Sequence, residues 1–265
     1  MPVGKCGLCL KSCELQRSHL LPSALYRMTR DPNLKNPNPV LITREITRTS
    51  SEQTRDYFLC AECEERFNTQ GERYAMSQVR DGEIFPLLEH ISALAPSHVV
   101  PPGATSPEFS LYFEVDTPKI DRDRLVYYCL SIIWRSAAHS WKGINSLDLG
   151  PYQESVRRYL LRQTAFPGYV VVHFFVARDE LSQQTLFPPS ILKRLGPFRS
   201  YSFTSRGLLY WMHVGKEIPS GFYSFCFVNS PLRPIISCNC EKKTMEAFVQ
   251  MSATSRVARA LQGPR

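Results

Sequence analysis

Two short cysteine clips do most to limit what this chain can fold into. Cys6 and Cys9 are separated by two residues, and Cys60 and Cys63 repeat that spacing. A Cys-x-x-Cys turn directs two sulfur atoms at one point, so two such turns complete a tetrahedron around a zinc ion. The alternative is two unrelated pairs of core cysteines. We favour the zinc site, whose binding free energy would also stabilise a segment with little core of its own.

The chain between the clips must carry further structure. Fifty residues separate Cys9 from Cys60, which is long for a simple zinc finger. The cysteine turn leads into a predicted short strand that reaches "SHLLP" at residues 18–22. The proline- and asparagine-rich residues 31–39 predict a loop, and the β-branched residues 40–49 predict a strand or hairpin. The second clip opens a predicted helix rich in glutamate and arginine.

The rest of the chain predicts helices followed by strands. Residues 95–109 hold four prolines and indicate a linker or an extended arm. Residues 121–140 predict a mostly apolar helix, and Gly150-Pro151 opens another. From Gly168 onward the composition favours an antiparallel sheet. Its predicted strands are YVVVHFFVA, RSYSFTSR, LLYWMHVG, FYSFCFVN and RPIISCN, and EKKTMEAFVQMS is a predicted closing helix. This order indicates the α+β class.

Composition limits the kind of protein. The chain has 265 residues, of which 43% are hydrophobic, enough to bury a core in one large or two small domains. Its longest apolar runs, residues 125–134 and 169–177, are far shorter than the roughly 20 residues of a membrane helix. Nine cysteines cannot all pair as disulfides, and no export segment is evident. We expect a soluble, cytoplasmic protein whose cysteines are reduced or bind metal.

Positive charge is concentrated in the last part of the chain. Residues 151–265 hold 15 Lys and Arg against 6 Asp and Glu, whereas the whole chain has a net charge of +8. Basic side chains interleaved with Tyr and Phe would suit the phosphates and bases of nucleic acid. The alternatives are ordinary solvated cations and a β core with basic edges. The candidate nucleic-acid contacts are Arg157, Arg158, Arg162, Lys193, Arg194, Arg199 and Arg206.

The order of motifs in residues 6–75 resembles a known family. A CxxC clip, then His-x-x-Pro, then Leu-Cys-x-x-Cys opening a polar helix is similar to the HNH nucleases, also called His-Me finger nucleases. The resemblance implies a treble-clef or ββα-metal module with a histidine at the end of its first strand. It also implies that the two clips hold structural zinc and that the helix after the second clip supplies ligands to a separate catalytic ion.

The resemblance assigns roles to individual residues. His19 stands where the family has its general base, which takes a proton from the attacking water. Glu64 directly follows the second clip, where the family has a His or Asn that binds metal. Asn68 and Glu72 follow at spacings of four, which would put all three on one helix face. Their oxygen atoms suit Mg²⁺ or Mn²⁺.

The chain also departs from the family pattern. Ser18 replaces the usual Asp before the base, the segment SSEQTRDYF lacks the family's middle Asn, and Glu64 replaces the last His. His19 has two other interpretations, a further zinc ligand or a packed histidine within the hairpin. For Glu64 and Glu72 the alternative is a solvated helix face.

Two functions follow from these observations. The first is a metal-dependent nuclease acting on DNA or RNA, by analogy an effector of bacterial antiphage defence. The second is a non-catalytic zinc-binding subunit that binds nucleic acid or a partner protein.

Cys13 is a predicted bystander of the first clip, and Cys238-Asn239-Cys240 predicts an edge-strand turn or half of a second metal site. The expected division is a zinc module at 1–94, an arm or linker at 95–120, a basic α+β domain at 121–251 and a frayed tail at 252–265.

Overall fold

The computed structural model describes residues 1–31, 33–42, 46–102, 108–192, 196–252 and 256–257. Helices and three sheets are combined in this part of the chain, so the α+β class is confirmed. The strands are β1 (Val3–Lys5), β2 (Ser12–His19), β3 (Val40–Ile42), β4 (Ile46–Thr49), β5 (Arg55–Cys60), β6 (His98–Val100), β7 (Phe109–Tyr112), β8 (Val170–Ala177), β9 (Leu186–Ile191), β10 (Arg199–Ser205), β11 (Leu208–Val214), β12 (Ile235–Cys238) and β13 (Arg256–Val257). The α-helices are α1 (Ser23–Met28), α2 (Ala61–Phe67), α3 (Arg73–Met76), α4 (Pro86–Ser92), α5 (Arg122–Ala138), α6 (Gln153–Leu160), α7 (Glu180–Gln183), α8 (Ser220–Ser224) and α9 (Glu241–Ser252).

The N-terminal strands form a three-stranded antiparallel sheet in the order β1-β2-β5. A register shift in the β2–β5 pair leaves Phe58 as the extra residue of a bulge. Buried Ser18 replaces the lost ladder bond, because its Oγ accepts a hydrogen bond from Leu59 N at 3.1 Å. The Phe58 ring packs inward so closely that a Cβ at Gly7 would lie 2.1 Å from it. Ser18 therefore has a structural role where the resembling family has Asp.

The helix after the second clip is interrupted. Between α2 and α3, residues Asn68–Glu72 form a π-helical turn, a local widening that is frequent at functional sites. Gly71 in this turn is buried against α5, and a Cβ there would lie 2.8 Å from Tyr128 N. The α-helical spacing expected between Glu64 and Glu72 does not hold across this segment.

The largest sheet has seven strands in the order β6-β7-β12-β8-β11-β10-β9. The expected antiparallel sheet needs a correction, because β12 lies parallel to β8 while its other neighbour, β7, is antiparallel. A parallel neighbour requires a long crossover connection, and here β9, β10, β11 and α8 lie between β8 and β12 in the sequence. The sheet is therefore mixed.

Helix α5 lies in the core between the N-terminal β1-β2-β5 sheet and the seven-stranded sheet. It falls within residues 121–140, which the sequence predicted to be helical. Asp121 caps its start by accepting a hydrogen bond from Arg124 N at 3.0 Å. Trp134 stacks on Phe58 of the small sheet at 5.6 Å, and Tyr128 packs edge-on against Phe203 of the large sheet at 5.8 Å. One continuous set of buried side chains thus joins both sheets through this helix.

Two segments differ from the sequence-based expectation because of proline. The strand predicted over FYSFCFVN is wrong: Pro219, with φ near −55°, starts the short helix α8 instead. The carbonyl of Phe222 then accepts a hydrogen bond from His173 Nε2 at 2.9 Å, which places the proton of this imidazole on Nε2. Strand β9 was not predicted because it contains Pro188 and Pro189. It forms an edge of the sheet, where a missing N–H is tolerated.

The arm and the tail contribute strands. Strands β6 and β7 of the proline-rich segment pair with each other, and β7 pairs with β12. Strand β13 of the tail pairs in parallel with β4, whereas 253–255 and 258–265 lie outside the described residues. The domain boundaries given above stay a prediction. No helix in the described part of the chain is long and apolar enough to span a membrane.

Candidate metal centre and the adjoining cleft

The four clip cysteines come together. The Sγ atoms of Cys6, Cys9, Cys60 and Cys63 all lie within 4.8 Å of one another, and the Cys9 and Cys60 sulfurs are 3.9 Å apart. Four thiolates at about 2.3 Å from a tetrahedral zinc ion are about 3.8 Å apart. The cluster can therefore hold a metal ion such as zinc with little movement.

Backbone hydrogen bonds shape the first clip. Cys6 O accepts from Leu10 N at 3.0 Å, and Cys6 N donates to Lys11 O at 2.9 Å. Leu10 closes this turn in the left-handed region, with φ of 64°. Cys60 N donates to Cys6 Sγ at 3.4 Å and so ties the second clip to the first. Amide donors of this kind stabilise a thiolate, the form that binds metal.

The thiols influence each other strongly. The hydrogen bond from Cys63 lowers the pKa of Cys6 to about 4, although burial opposes the shift. The same hydrogen bond, together with burial, raises the pKa of Cys63. A cation in the cluster would displace these protons, so metal binding is coupled to proton release. Cys13 lies outside the cluster, and its Sγ contacts Lys11 O at 3.4 Å.

A polar cleft adjoins the cluster. Its volume is about 590 Å³, and its walls come from β2, from the start of α1, from α2 with the π-helical turn and from α5. All four residues that the resemblance selected for catalysis line this cleft: His19, Glu64, Asn68 and Glu72. Helix α2 starts directly after Cys60, so the same elements that present the cysteines also form the cleft.

His19 ends β2 and lies half-buried in the cleft wall. Its Nε2 forms a hydrogen bond of 2.8 Å with Gln53 Oε1. Because an amide oxygen only accepts, this bond places the proton on Nε2 and the lone pair on Nδ1. Burial lowers the pKa of His19, and Arg55 and Arg135 act in the same direction, whereas Gln53 and Glu64 oppose the shift. The imidazole is therefore neutral at neutral pH.

The two glutamates of the cleft differ. Glu64 Oε1 is buried, and no described residue forms a hydrogen bond with it. Glu72, in contrast, forms an ion pair with Arg135, whose side chain is only 2% exposed. The carboxylate of Glu72 is thus neutralised by the protein itself, whereas one oxygen of Glu64 remains for another ligand.

Arg135 is a major part of the cleft that the sequence analysis did not single out. Besides the pair with Glu72, its Nη1 donates to His19 O at 3.2 Å. Its guanidinium also lies 4.5 Å from the centroid of the Phe67 ring. Burial alone would lower the pKa of Arg135, but Glu72 and Glu64 outweigh it and raise that pKa. The signal available in the sequence was an arginine directly after the apolar run of residues 125–134 within a predicted helix.

The candidate nucleic-acid residues that the structure describes mostly make contacts within the protein. Arg157 donates to Leu8 O at 2.5 Å and pairs with Glu154. Arg162 donates to Gln70 Oε1 at 2.9 Å. Arg199 pairs with Asp148, and the buried Arg206 donates to Arg80 O. Arg158 is exposed. Lys193 and Arg194 lie outside the described residues.

Comparisons with known proteins give no relative. No protein-family model matches the chain, and no curated protein or solved structure matches it at a significant level. In the described part of the chain, the four cysteines are the only group of three or more His, Cys, Asp and Glu side chains that lie close enough together to hold a metal ion. The local chemistry of the cluster and the cleft is therefore the basis for inferring the function of this protein.

Proposed function

We propose that this protein is a divergent HNH-like nuclease that hydrolyses phosphodiester bonds of DNA or RNA in the cleft beside the cysteine cluster. The observation that carries the proposal is the common location of three groups. A neutral histidine, His19, shares one cleft with Asn68 and with Glu64, which has an unpartnered oxygen. The four cysteines would hold structural zinc and brace the treble-clef or ββα-metal module around this cleft.

His19 would be the general base. Its neutral imidazole would accept a proton from the water that attacks phosphorus. Gln53 lies in the segment that lacks the family's middle Asn, and its hydrogen bond would hold the ring in one tautomer. Gln53 is then a positioning residue, because it acts through His19.

Glu64 and Asn68 would hold the catalytic Mg²⁺ or Mn²⁺. A buried carboxylate oxygen without a partner fits a cation. Asn68 directs its amide nitrogen to Glu65 at 3.3 Å, which leaves its carbonyl oxygen for the ion. When bound, the ion would stabilise negative charge on the phosphate and on the leaving oxygen. Glu72 has another task, since its carboxylate is paired with Arg135.

Phosphate groups would reach the cleft past a cationic residue. Arg17 is exposed, pairs with Tyr57 next to the bulge in β5 and lines the cleft on the same strand as His19. A guanidinium at this place attracts phosphate and orients it by bidentate hydrogen bonds. The role in antiphage defence stays a prediction from the resemblance.

The test uses zinc-loaded protein with supercoiled plasmid and with single-stranded RNA, in Mg²⁺ and in Mn²⁺. We expect cleavage by the unmodified protein and a loss on the order of 100-fold or more in His19→Ala. Glu64→Gln should lose both cleavage and Mn²⁺ binding, the latter followed by electron paramagnetic resonance. The matched controls are His98→Ala and Glu62→Gln, which change an exposed histidine and an exposed glutamate of α2.

Two results would contradict the nuclease proposal. One is the absence of cleavage of either substrate in either metal by protein with full zinc content. The other is equal cleavage by His19→Ala and by His98→Ala, which would indicate a contaminating nuclease.

The second candidate function is a non-catalytic zinc-binding subunit. The pairing of Glu72 with Arg135 favours it, because it removes one predicted oxygen ligand from the cleft. Retained nucleic-acid binding without cleavage, in a gel-shift measurement on the same preparations, would support this function over the first.

A further inference from the structure

A second pair of cysteines lies far along the chain from the four-cysteine cluster. Cys238 is the last residue of β12, and Cys240 directly precedes α9. The strand is an inner one, between β7 and β8, so the sequence-based expectation of an edge-strand turn is wrong. Both side chains are buried, with 6% and 8% of their surface exposed, and they pack near Phe109, Phe175 and Leu209.

The two sulfur atoms are close together. Cys238 Sγ and Cys240 Sγ are 3.3 Å apart, and a disulfide bond of about 2.05 Å needs an approach of only about 1.3 Å. The two residues that follow β8 hold both cysteines in place by hydrogen bonds. Arg178 N donates to Cys238 O at 2.9 Å, and Asp179 Oδ2 accepts from Cys240 N at 2.7 Å.

The surroundings distinguish the two thiols. A hydrogen bond from Cys240 lowers the pKa of Cys238, and the nearby cations Arg178 and Lys243 add to this shift, although burial and Asp179 oppose it. The same hydrogen bond and burial raise the pKa of Cys240. Cys238 is therefore the more acidic of the two thiols, and Cys240 is the thiol that can react with it in a second step.

We propose that Cys238 and Cys240 are a redox-sensitive pair that forms a reversible disulfide when the protein meets a hydroperoxide. A small oxidant is required, because only a few per cent of either side chain is exposed. The bond would join the end of β12 to the start of α9 across Asn239.

The reaction balances with hydrogen peroxide as the oxidant. The Cys238 thiolate attacks one peroxide oxygen, the O–O bond breaks, and hydroxide leaves and takes up the proton that Cys238 released. Cys238 is now a sulfenic acid. The Cys240 sulfur attacks the Cys238 sulfur, the S–O bond breaks and the S–S bond forms, while the proton of Cys240 leaves with the hydroxyl group as a second water. Two electrons pass from the two sulfurs to the peroxide.

The test is peroxide treatment of the zinc-loaded full chain, followed by thiol alkylation, tryptic digestion and mass spectrometry without reduction. Trypsin leaves Cys226, Cys238 and Cys240 on one peptide, residues 217–242, because Pro234 protects the bond after Arg233. We expect this peptide to lose two hydrogens and to carry one alkyl group. Dithiothreitol should reverse the change. Fragmentation should give no cleavage product between Cys238 and Cys240.

Matched variants assign the bond. Cys238→Ser and Cys240→Ser should abolish the mass change, whereas Cys226→Ser should keep it. The proposal is overturned if the treated peptide carries three alkyl groups, if it holds a sulfinic acid without a disulfide, or if the bond is lost only in Cys226→Ser. Fragmentation locates the disulfide bond in the unmodified chain, so the proposal can be tested even if one of the variants fails to fold.

Discussion

The cysteine cluster and the polar cleft share their supporting elements but differ in how their polar groups are balanced. The first clip leads into β2 and the second clip opens α2, and both of these elements line the cleft. In the cluster, four groups of one kind converge within 4.8 Å. In the cleft, the groups are of mixed charge and largely satisfy one another, since Glu72 pairs with Arg135 and His19 is bonded to Gln53.

A metal ion would therefore contribute differently at the two places. Four adjacent thiols cannot all ionise without a cation, so the cluster is incomplete as a purely protein structure. The charges of the cleft partly cancel one another, and among its described carboxylate oxygens Glu64 Oε1 is buried without a partner. We therefore expect tight zinc binding at the cluster and weaker, exchangeable Mg²⁺ or Mn²⁺ binding in the cleft.

The largest expected effect is the loss of zinc. Cys63→Ser should reduce bound zinc from one ion per chain to nearly none and unfold the N-terminal module, because structural zinc sites contribute about 10–16 kcal/mol in small zinc-binding peptides. Metal analysis and circular dichroism measure both effects. The matched control is Cys13→Ser, which changes a cysteine outside the cluster and should keep its zinc.

The next effect concerns the balance of charge in the cleft. Arg135→Met leaves the Glu72 carboxylate, whose side chain is only 15% exposed, without its partner and should lower the free energy of unfolding by about 3 kcal/mol. Urea unfolding measures this, with the exposed Arg158→Met as the control, expected to change stability by less than about 0.5 kcal/mol. Adding Glu72→Gln to Arg135→Met should restore part of the loss. Equal stability of Arg135→Met and Arg158→Met would show that the ion pair between Arg135 and Glu72 does not stabilise the cleft.

A third region buries two histidines, His173 of β8 and His213 of β11, in the seven-stranded sheet. Burial and the neighbouring His173 lower the pKa of His213 to about 3, whereas an unfolded histidine has a pKa of about 6.5. Between these values the unfolded chain binds more protons, so stability rises with pH and falls as the pH drops from about 6.5 to about 3. His213→Phe should reduce that slope by about 1.4 kcal/mol per pH unit. The exposed His98→Ala should leave the slope unchanged.

The smallest effect tests whether His19 and Glu64 influence each other across the cleft. Glu64 raises the pKa of His19 and Arg55 lowers it. Glu64→Gln should therefore lower that pKa and Arg55→Gln should raise it, as measured by nuclear magnetic resonance titration of the imidazole. Shifts of the same sign in both variants would mean that the two side chains do not share one electrostatic environment.

Local patterns in the sequence predicted much of the fold. The clip spacing predicted the convergence of four cysteines, and the apolar residues 121–140 and the segment 241–252 predicted helices that the structure confirms. Strand β9 was not predicted because proline has a low propensity for strands and this strand contains two prolines. The π-helical turn was not predicted either, because it involves a tertiary contact between Gly71 and α5.

The charge balance of the cleft could not be predicted in the same way. Arg135 meets Glu72 across 63 positions of sequence, and His19 meets Gln53 across 34. Contacts of this kind are set by tertiary packing, for which a single sequence carries no local pattern. In the sequence, Gln53 is distinguished only as the one amide side chain of the segment SSEQTRDYF, where the resemblance predicts an asparagine.

The zinc centre is tested most directly by X-ray absorption at the zinc edge on the purified protein. A structural zinc ion held by the two clips should give one zinc per chain surrounded by four sulfur atoms at about 2.3 Å, with no nitrogen or oxygen ligand. Zinc bound through nitrogen or oxygen, or zinc-free protein whose clip cysteines react freely with alkylating agents while the fold is intact, would contradict this prediction.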